Sequence, residues 1–248
     1  MEDETALAGG NASGEVVRVG STVRKAWTPS TPAVVSFLRS LAMAGIDVPA
    51  HLGRDDAGRQ VLEYVPGELA QDLPPLDLGE LARVGSMVRA IHDASGGIPV
   101  DASARWESLI PAPADDLICH NDLAPWNLVV GERWVFIDWD GAAPSTRLWD
   151  LAYAAQSFCL NDPHEPLERA AERLRAFVEG YRPDRAMRTA LPRVMGERAD
   201  AMHALLRSAH ESGREPWSAM FVAGHGEHWR TVAAYVRSHD DVWAAALA

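Results

Sequence analysis

The chain has 248 residues, of which 23 are Lys or Arg and 35 are Asp or Glu, a formal charge of −12 with histidine neutral. That balance argues against a nucleic-acid partner, which calls for a basic stripe to neutralise phosphates. Hydrophobic residues at 47% and charged residues at 23% are ordinary globular usage and exclude a disordered or fibrous chain.

Taken in chain order, residues 15–27 (EVVRVGSTVRKAW) hold two β-branched runs separated by Gly20-Ser21, which predicts a tight hairpin. A helix follows, with Thr31 as its cap and Pro32 in the first turn. Val35, Leu38, Leu41 and Ala42 recur at helical spacing, and Gly45 ends the pattern. Gln60 to Val65 predicts a further strand, so the first part of the chain reads as a small α+β unit. Pro66-Gly67 and Leu73-Pro74-Pro75 then interrupt both regular structures and mark a connector.

Beyond it the pattern is mostly helical. Leu81, Val84, Val88 and Ile91 form one apolar face, and Leu167, Ala170, Leu174, Phe177 and Tyr181 another. Ala-rich helical patterns cover 184–208, with Pro192 as an expected break or kink, and 225–247. A short β-rich island, 117–137, interrupts the helices. No apolar run approaches the roughly 20 residues of a membrane span, and the opening MEDETALAGG has acids where a secretory leader has bases. A cytoplasmic protein with no membrane partner is expected. Cys119 and Cys159 lack zinc-ligand or CxxC spacing and read as reduced, buried thiols.

The chemistry concentrates in the island. His120-Asn121-Asp122-Leu123 through Asn127 has the His-x-Asp-Leu-x-x-x-Asn spacing of a kinase catalytic loop, and Asp138 follows directly on a strand, where kinases place a metal-binding Asp. Phosphoryl transfer needs these types together. Mg²⁺ must neutralise charge on the transferring group and takes hard oxygen ligands, which the Asn127 amide and the Asp138 carboxylate supply. A hairpin of 128–130 and 134–137, turned at Gly131-Glu132, brings those two ends together. Asp122 then accepts or orients the proton of an acceptor hydroxyl.

His120-Asn121-Asp122-Leu123 through Asn127, Ile137-Asp138-Trp139-Asp140 and Leu148-Trp149-Asp150-Leu151-Ala152 together resemble the aminoglycoside phosphotransferase and choline kinase family. These are small-molecule kinases that share the protein-kinase-like fold. The resemblance implies an α+β, two-lobed architecture, with a small β-rich N-terminal lobe over 1–66 that binds nucleotide and a larger, mostly helical C-terminal lobe over 67–248 that binds the acceptor. It makes Asp122 catalytic, gives Asn127 and Asp138 to Mg²⁺, has Asp150 brace the catalytic loop, and sets the backbone of Glu63, Tyr64 and Val65 against adenine. The family's phosphate-contacting lysine corresponds to Arg24 or Lys25. Arg24 is favoured because it follows Val23 as the family lysine follows an apolar residue. The helix at 32–44 has no acid to pair with either. The phosphate-covering loop corresponds to 9–14, GGNASG.

The implied reaction moves the γ-phosphoryl of ATP or GTP to a hydroxyl of a small polar or cationic molecule, such as an aminoglycoside-like antibiotic or a choline- or sugar-like metabolite. The alternative is a kinase-like binding or regulatory protein without transfer activity. Asp140 is open between a second metal, the substrate and a solvated turn. His120 is assigned to packing beneath the loop. His225 and His228 lack HExxH spacing and a third ligand, so a solvated helix start is expected there. Glu211, Glu215, Asp240 and Asp241 either attract a cationic acceptor or are plain surface charges.

Overall fold

In a computed structural model, residues 4–7, 16–101 and 103–248 are described. The β-branched runs build β2 (Val17–Val19) and β3 (Thr22–Lys25) of the N-terminal sheet, whose other strands are β1 (Glu4–Ala6), β4 (His51–Arg54) and β5 (Gln60–Glu63). All pairs are antiparallel, in the order β1-β2-β3-β5-β4. The β2–β3 hairpin turns at Gly20, whose φ of 58° is the left-handed conformation expected of that glycine. Strands β1 and β4 were not predicted. His51-Leu52-Gly53-Arg54 lacks a β-branched run, and its pairing with β5 is broken by a register shift at Gly53.

Helix α1 (Thr31–Met43) packs Val34, Phe37, Leu38 and Leu41 inward. Its cap is Ser30, one residue before the expected Thr31, whose hydroxyl instead accepts from the Thr28 N–H at 2.9 Å. A short strand, β6 (Glu68–Leu69), follows the Pro-Gly connector and joins the island hairpin of β8 (Leu128–Val130) and β9 (Trp134–Phe136). β7 (Leu117–Cys119) pairs with β10 (Ala143–Ser145).

The remainder is helical: α2 (Leu78–Ser95), α3 (Arg147–Cys159), α4 (Leu167–Tyr181), α5 (Arg185–Ser212), α6 (Trp217–Met220), α7 (Gly226–Ser238) and α8 (Asp240–Ala246). A reciprocal capping box starts α2: Glu80 N–H donates to Asp77 Oδ1, and Asp77 N–H to Glu80 Oε2, each at 2.8 Å. α2 and α4 lie in backbone contact because Gly180 faces Ala82; any Cβ at Gly180 would fall onto the Ala82 carbonyl. Pro192 does not break the chain's helix: α5 continues through it. The break falls later, at His239, which divides the predicted 225–247 helix into α7 and α8. One continuous core joins α1, α2, the island and the C-terminal helices. No helix of the described residues is long and apolar enough to cross a membrane.

Candidate active site

The island hairpin sets the geometry. Leu128 pairs with Phe136, and Ile137 N–H donates to the Asn127 carbonyl at 2.8 Å, so Asn127 and Asp138 meet at the open end of the hairpin. Asn127 is buried, and its Nδ2 donates to both the Asp122 carbonyl (2.9 Å) and Asp122 Oδ2 (2.8 Å). Two acceptors on one nitrogen fix the amide's orientation and leave its oxygen for a cation. Burial pushes the Asp122 carboxyl above the ordinary aspartate value, opposed first by His120; Asp138 reinforces the rise, and the Tyr153 phenol and Arg198 oppose it.

Below the loop lies a buried polar chain. Asp150, 1% exposed, accepts from the Asn121 N–H at 2.8 Å with one oxygen and bonds His92 Nε2 at 3.0 Å with the other; His92 Nδ1 lies 2.9 Å from the Tyr181 hydroxyl. His92, Asp150 and Cys119 cluster closely enough to suggest a metal site. Yet both His92 nitrogens and both Asp150 oxygens are already bonded, so the cluster is a brace. It holds Asn121 at φ 65°, a left-handed conformation that turns Asp122 upward. Arg198, buried on α5, donates to the Asn121 carbonyl at 3.2 Å and lies over the Tyr153 ring at 4.1 Å. His120 is fully buried; its Nε2 donates to the Ile137 carbonyl at 3.0 Å and its ring lies on Trp139, a packing position as expected.

The N-terminal sheet contributes Lys25, and here the sequence-based preference for Arg24 is corrected. Strand alternation puts Val23 and Lys25 on the cleft face and Arg24 on the other. Arg24 donates to Thr22 Oγ1 and pairs with Asp55 at 3.7 Å. Lys25 is buried, with Nζ 2.9 Å from Asp138 Oδ1 and 2.8 Å from Asp140 Oδ1. Burial opposes its charge, but the two carboxylates outweigh burial and raise its pKa above the ordinary lysine value. The sequence held an unused signal for it: Lys25 is the only lysine in the chain, every other Lys/Arg position being arginine.

A cleft of about 220 Å³ between the N-terminal sheet and the island hairpin is lined by Lys25, Asn127 and Asp138 and by Glu63, Tyr64 and Val65; Asp122 is not part of its lining. The Glu63 and Tyr64 amides are taken by Ala50 and Ser21 carbonyls, whereas the Val65 N–H has no partner among the described residues. Val129 and Ile137 line the same cleft. A larger cavity, about 410 Å³, lies against α1, Ile98, Pro99 and residues 103–106 and contains none of the motif residues. The predicted phosphate-covering loop, 9–14, lies outside the described residues. Glu211 pairs with Arg207, Glu215 accepts from the Ala219 N–H, and Asp240 and Asp241 sit in the first turn of α8. His228 bonds Asn161 at 3.1 Å, and among the described residues it joins no metal cluster.

A model of the phosphotransferase enzyme family matches residues 98–191, the stretch that carries the His120–Asn127 loop, the island hairpin and the Asp150 brace. Over its whole length the chain is similar to the trifolitoxin immunity protein of Rhizobium leguminosarum bv. trifolii, 28% identical over 265 aligned positions that cover 100% of each protein. Among solved structures, an amicoumacin kinase in complex with AMP-PNP and Ca²⁺ superposes at a TM-score of 0.69 and 17% identity, over 93% of this chain and 88% of that one. A spectinomycin phosphotransferase in complex with ADP and spectinomycin gives 0.64 at 14% identity, over 96% and 93%. A choline/ethanolamine kinase family protein from Mesorhizobium loti gives 0.62 at 18%, over 99% and 92%. The chain thus has the protein-kinase-like fold of the small-molecule kinases, and its residues 98–191 carry the signature of the phosphotransferase enzyme family.

Proposed function

We propose that the protein transfers the γ-phosphoryl of ATP or GTP to a hydroxyl of a small molecule of the antibiotic or toxin class. The observation that supports this is the convergence of Lys25, Asn127 and Asp138 in one cleft, with Asp122 bonded to Asn127 Nδ2 beside it, and in the same cleft a Val65 amide that is unpaired among the described residues. In this reading Val65 and its neighbours meet the base, with Val129 and Ile137 against its faces, and Lys25 meets the phosphates. Asn127 Oδ1 and the Asp138 carboxylate, both hard oxygen donors, would hold Mg²⁺. The bound ion would neutralise charge on the phosphoryl oxygens. Asp122, fixed by Asn127 and by the brace beneath it, orients the acceptor hydroxyl and takes its proton. The similarity to an immunity protein favours a toxic acceptor, inactivated by the added phosphate.

The test combines nucleotide consumption with calorimetry. Purified protein with Mg²⁺ and ATP or GTP, offered aminoglycosides, peptide antibiotics, choline, amino alcohols and sugars, is expected to release ADP or GDP in the presence of one acceptor class. Asp122→Ala is expected to lose at least about a hundredfold in transfer while AMP-PNP binding persists. Asp138→Ala should lose both transfer and Mg²⁺-dependent binding. Equal loss of binding in the two variants contradicts these roles, and a wild-type protein that binds no Mg²⁺-nucleotide becomes the kinase-like binding protein of the alternative reading.

A further inference from the structure

Helix α1, TPAVVSFLRSLAM, carries no acid. Kinases fix their phosphate-contacting lysine with a glutamate from this helix, because a flexible four-carbon stem needs a partner to hold its ammonium in one place. Here α1 offers Phe37 instead, packed edge-on against Trp139 at 5.9 Å. The residue after Trp139 supplies the missing carboxylate: Asp140 Oδ1 lies 2.8 Å from Lys25 Nζ.

We propose that Asp140 is the positioning residue for Lys25, doing from the metal-binding loop what a helix acid does elsewhere. Asp138 also touches Lys25, at 2.9 Å, but it lines the cleft and suits a cation; a cation there competes with the lysine for that carboxylate. Asp140 lies outside the cleft lining, on a single helical turn over 139–141. That turn is fixed at both ends, by Trp139 Nε1 donating to the Phe136 carbonyl at 2.8 Å and by Ala142 N–H donating to the Trp139 carbonyl at 2.9 Å. Lys25 therefore keeps one carboxylate when Asp138 is engaged. The tie joins sheet to helical lobe directly, so aligning the lysine requires no movement of α1. Its catalytic consequence rests on the phosphotransferase reading; the tie itself does not.

Because Lys25 is the only lysine, an amine-specific reagent followed by peptide mass spectrometry reads its ε-amine alone in nucleotide-free protein. The wild type is expected to label slowly. Asp140→Asn, confirmed folded by circular dichroism, should label about tenfold faster or more, the equivalent of one lost hydrogen bond to a charged group, and Asp140→Glu should restore protection. In kcat/KM, Asp140→Asn and Lys25→Met should each lose activity, and the double variant should lose no more than the worse single one. The Mg²⁺ concentration for half-maximal activity should match wild type in Asp140→Asn and rise in Asp138→Asn. Unchanged labelling in folded Asp140→Asn overturns the proposal. A raised Mg²⁺ requirement in that variant also overturns it and makes Asp140 a metal ligand. Labelling needs no activity, so a wild type without nucleotide binding would sink the phosphotransferase reading and leave the lysine tie standing.

Discussion

Replacing Asp150 by Ala isolates what the buried brace contributes. The change leaves two buried donors, the Asn121 N–H and the His92 ring N–H, without the carboxylate they share at 2.8 Å and 3.0 Å. Each unsatisfied buried donor costs about 1–3 kcal/mol, so the expected loss for the two is about 2–6 kcal/mol. For a chain of this size each kcal/mol lowers Tm by about 2–4 °C, which puts the fall at roughly 4–24 °C by calorimetry or dye-monitored melting. Asp150→Asn should fall about half as far. Its amide oxygen can still accept from Asn121, and the conflict of its amide nitrogen with His92 is relieved if the imidazole changes tautomer and the Tyr181 hydroxyl turns to accept. Transfer should follow the same order, Asn above Ala, because the Asn121 bond holds the left-handed turn beneath Asp122. An Asp150→Ala protein melting within about 2 °C of wild type, with unchanged kcat, would refute the brace.

Two further outcomes follow from packing and titration. Gly180→Val forces a side chain onto the Ala82 backbone and should cost about 1–3 kcal/mol or more; a wild-type Tm would show that α2 and α4 can separate freely. His51 and His228 are both held below the ordinary histidine value of 6.5, chiefly by burial, His51 also by Arg39 and His228 by His225. Folded protein therefore binds their protons less readily than unfolded protein, so their contribution is present above pH 6.5 and is lost as pH falls through 6.5 toward the depressed folded values. Tm should drop between pH 7 and pH 5.5, and the paired replacement His51→Phe with His228→Gln should flatten that slope; an unchanged slope assigns it to other groups.

The parts of the site legible in the sequence were those that lie close together along the chain. Asp122, Asn127 and Asp138 fall within one short segment whose strands pair with their nearest neighbours, so spacing alone predicted the meeting of Asn127 and Asp138. Lys25 against Arg24 was a question of strand face, and an edge-to-cleft orientation is set by the sheet's packing on the helical lobe, which local pattern does not contain. The absence of an acid in α1 was legible, but its replacement was not, because Lys25 and Asp140 are far apart in sequence and join only when sheet and loop face each other. His92, Tyr181 and Arg198 left no local signal either; each reads as an ordinary helical residue until α2, α4 and α5 close around the loop. In the fold, the short strands β1 and β4 escaped notice because pairing with neighbours, rather than their own propensity, defines them.

Most of the ties that hold the His120–Asn127 loop end on main-chain atoms. Asp150 receives the Asn121 N–H, Arg198 reaches the Asn121 carbonyl, His120 the Ile137 carbonyl, Ser95 the Ile118 carbonyl, Trp139 the Phe136 carbonyl and Asn127 the Asp122 carbonyl. A bond to the backbone is indifferent to which side chain its residue carries. The scaffold therefore constrains the path of the loop far more than its lettering. The sequence of the loop can thus drift by small mutational steps while the path that carries Asp122 stays fixed.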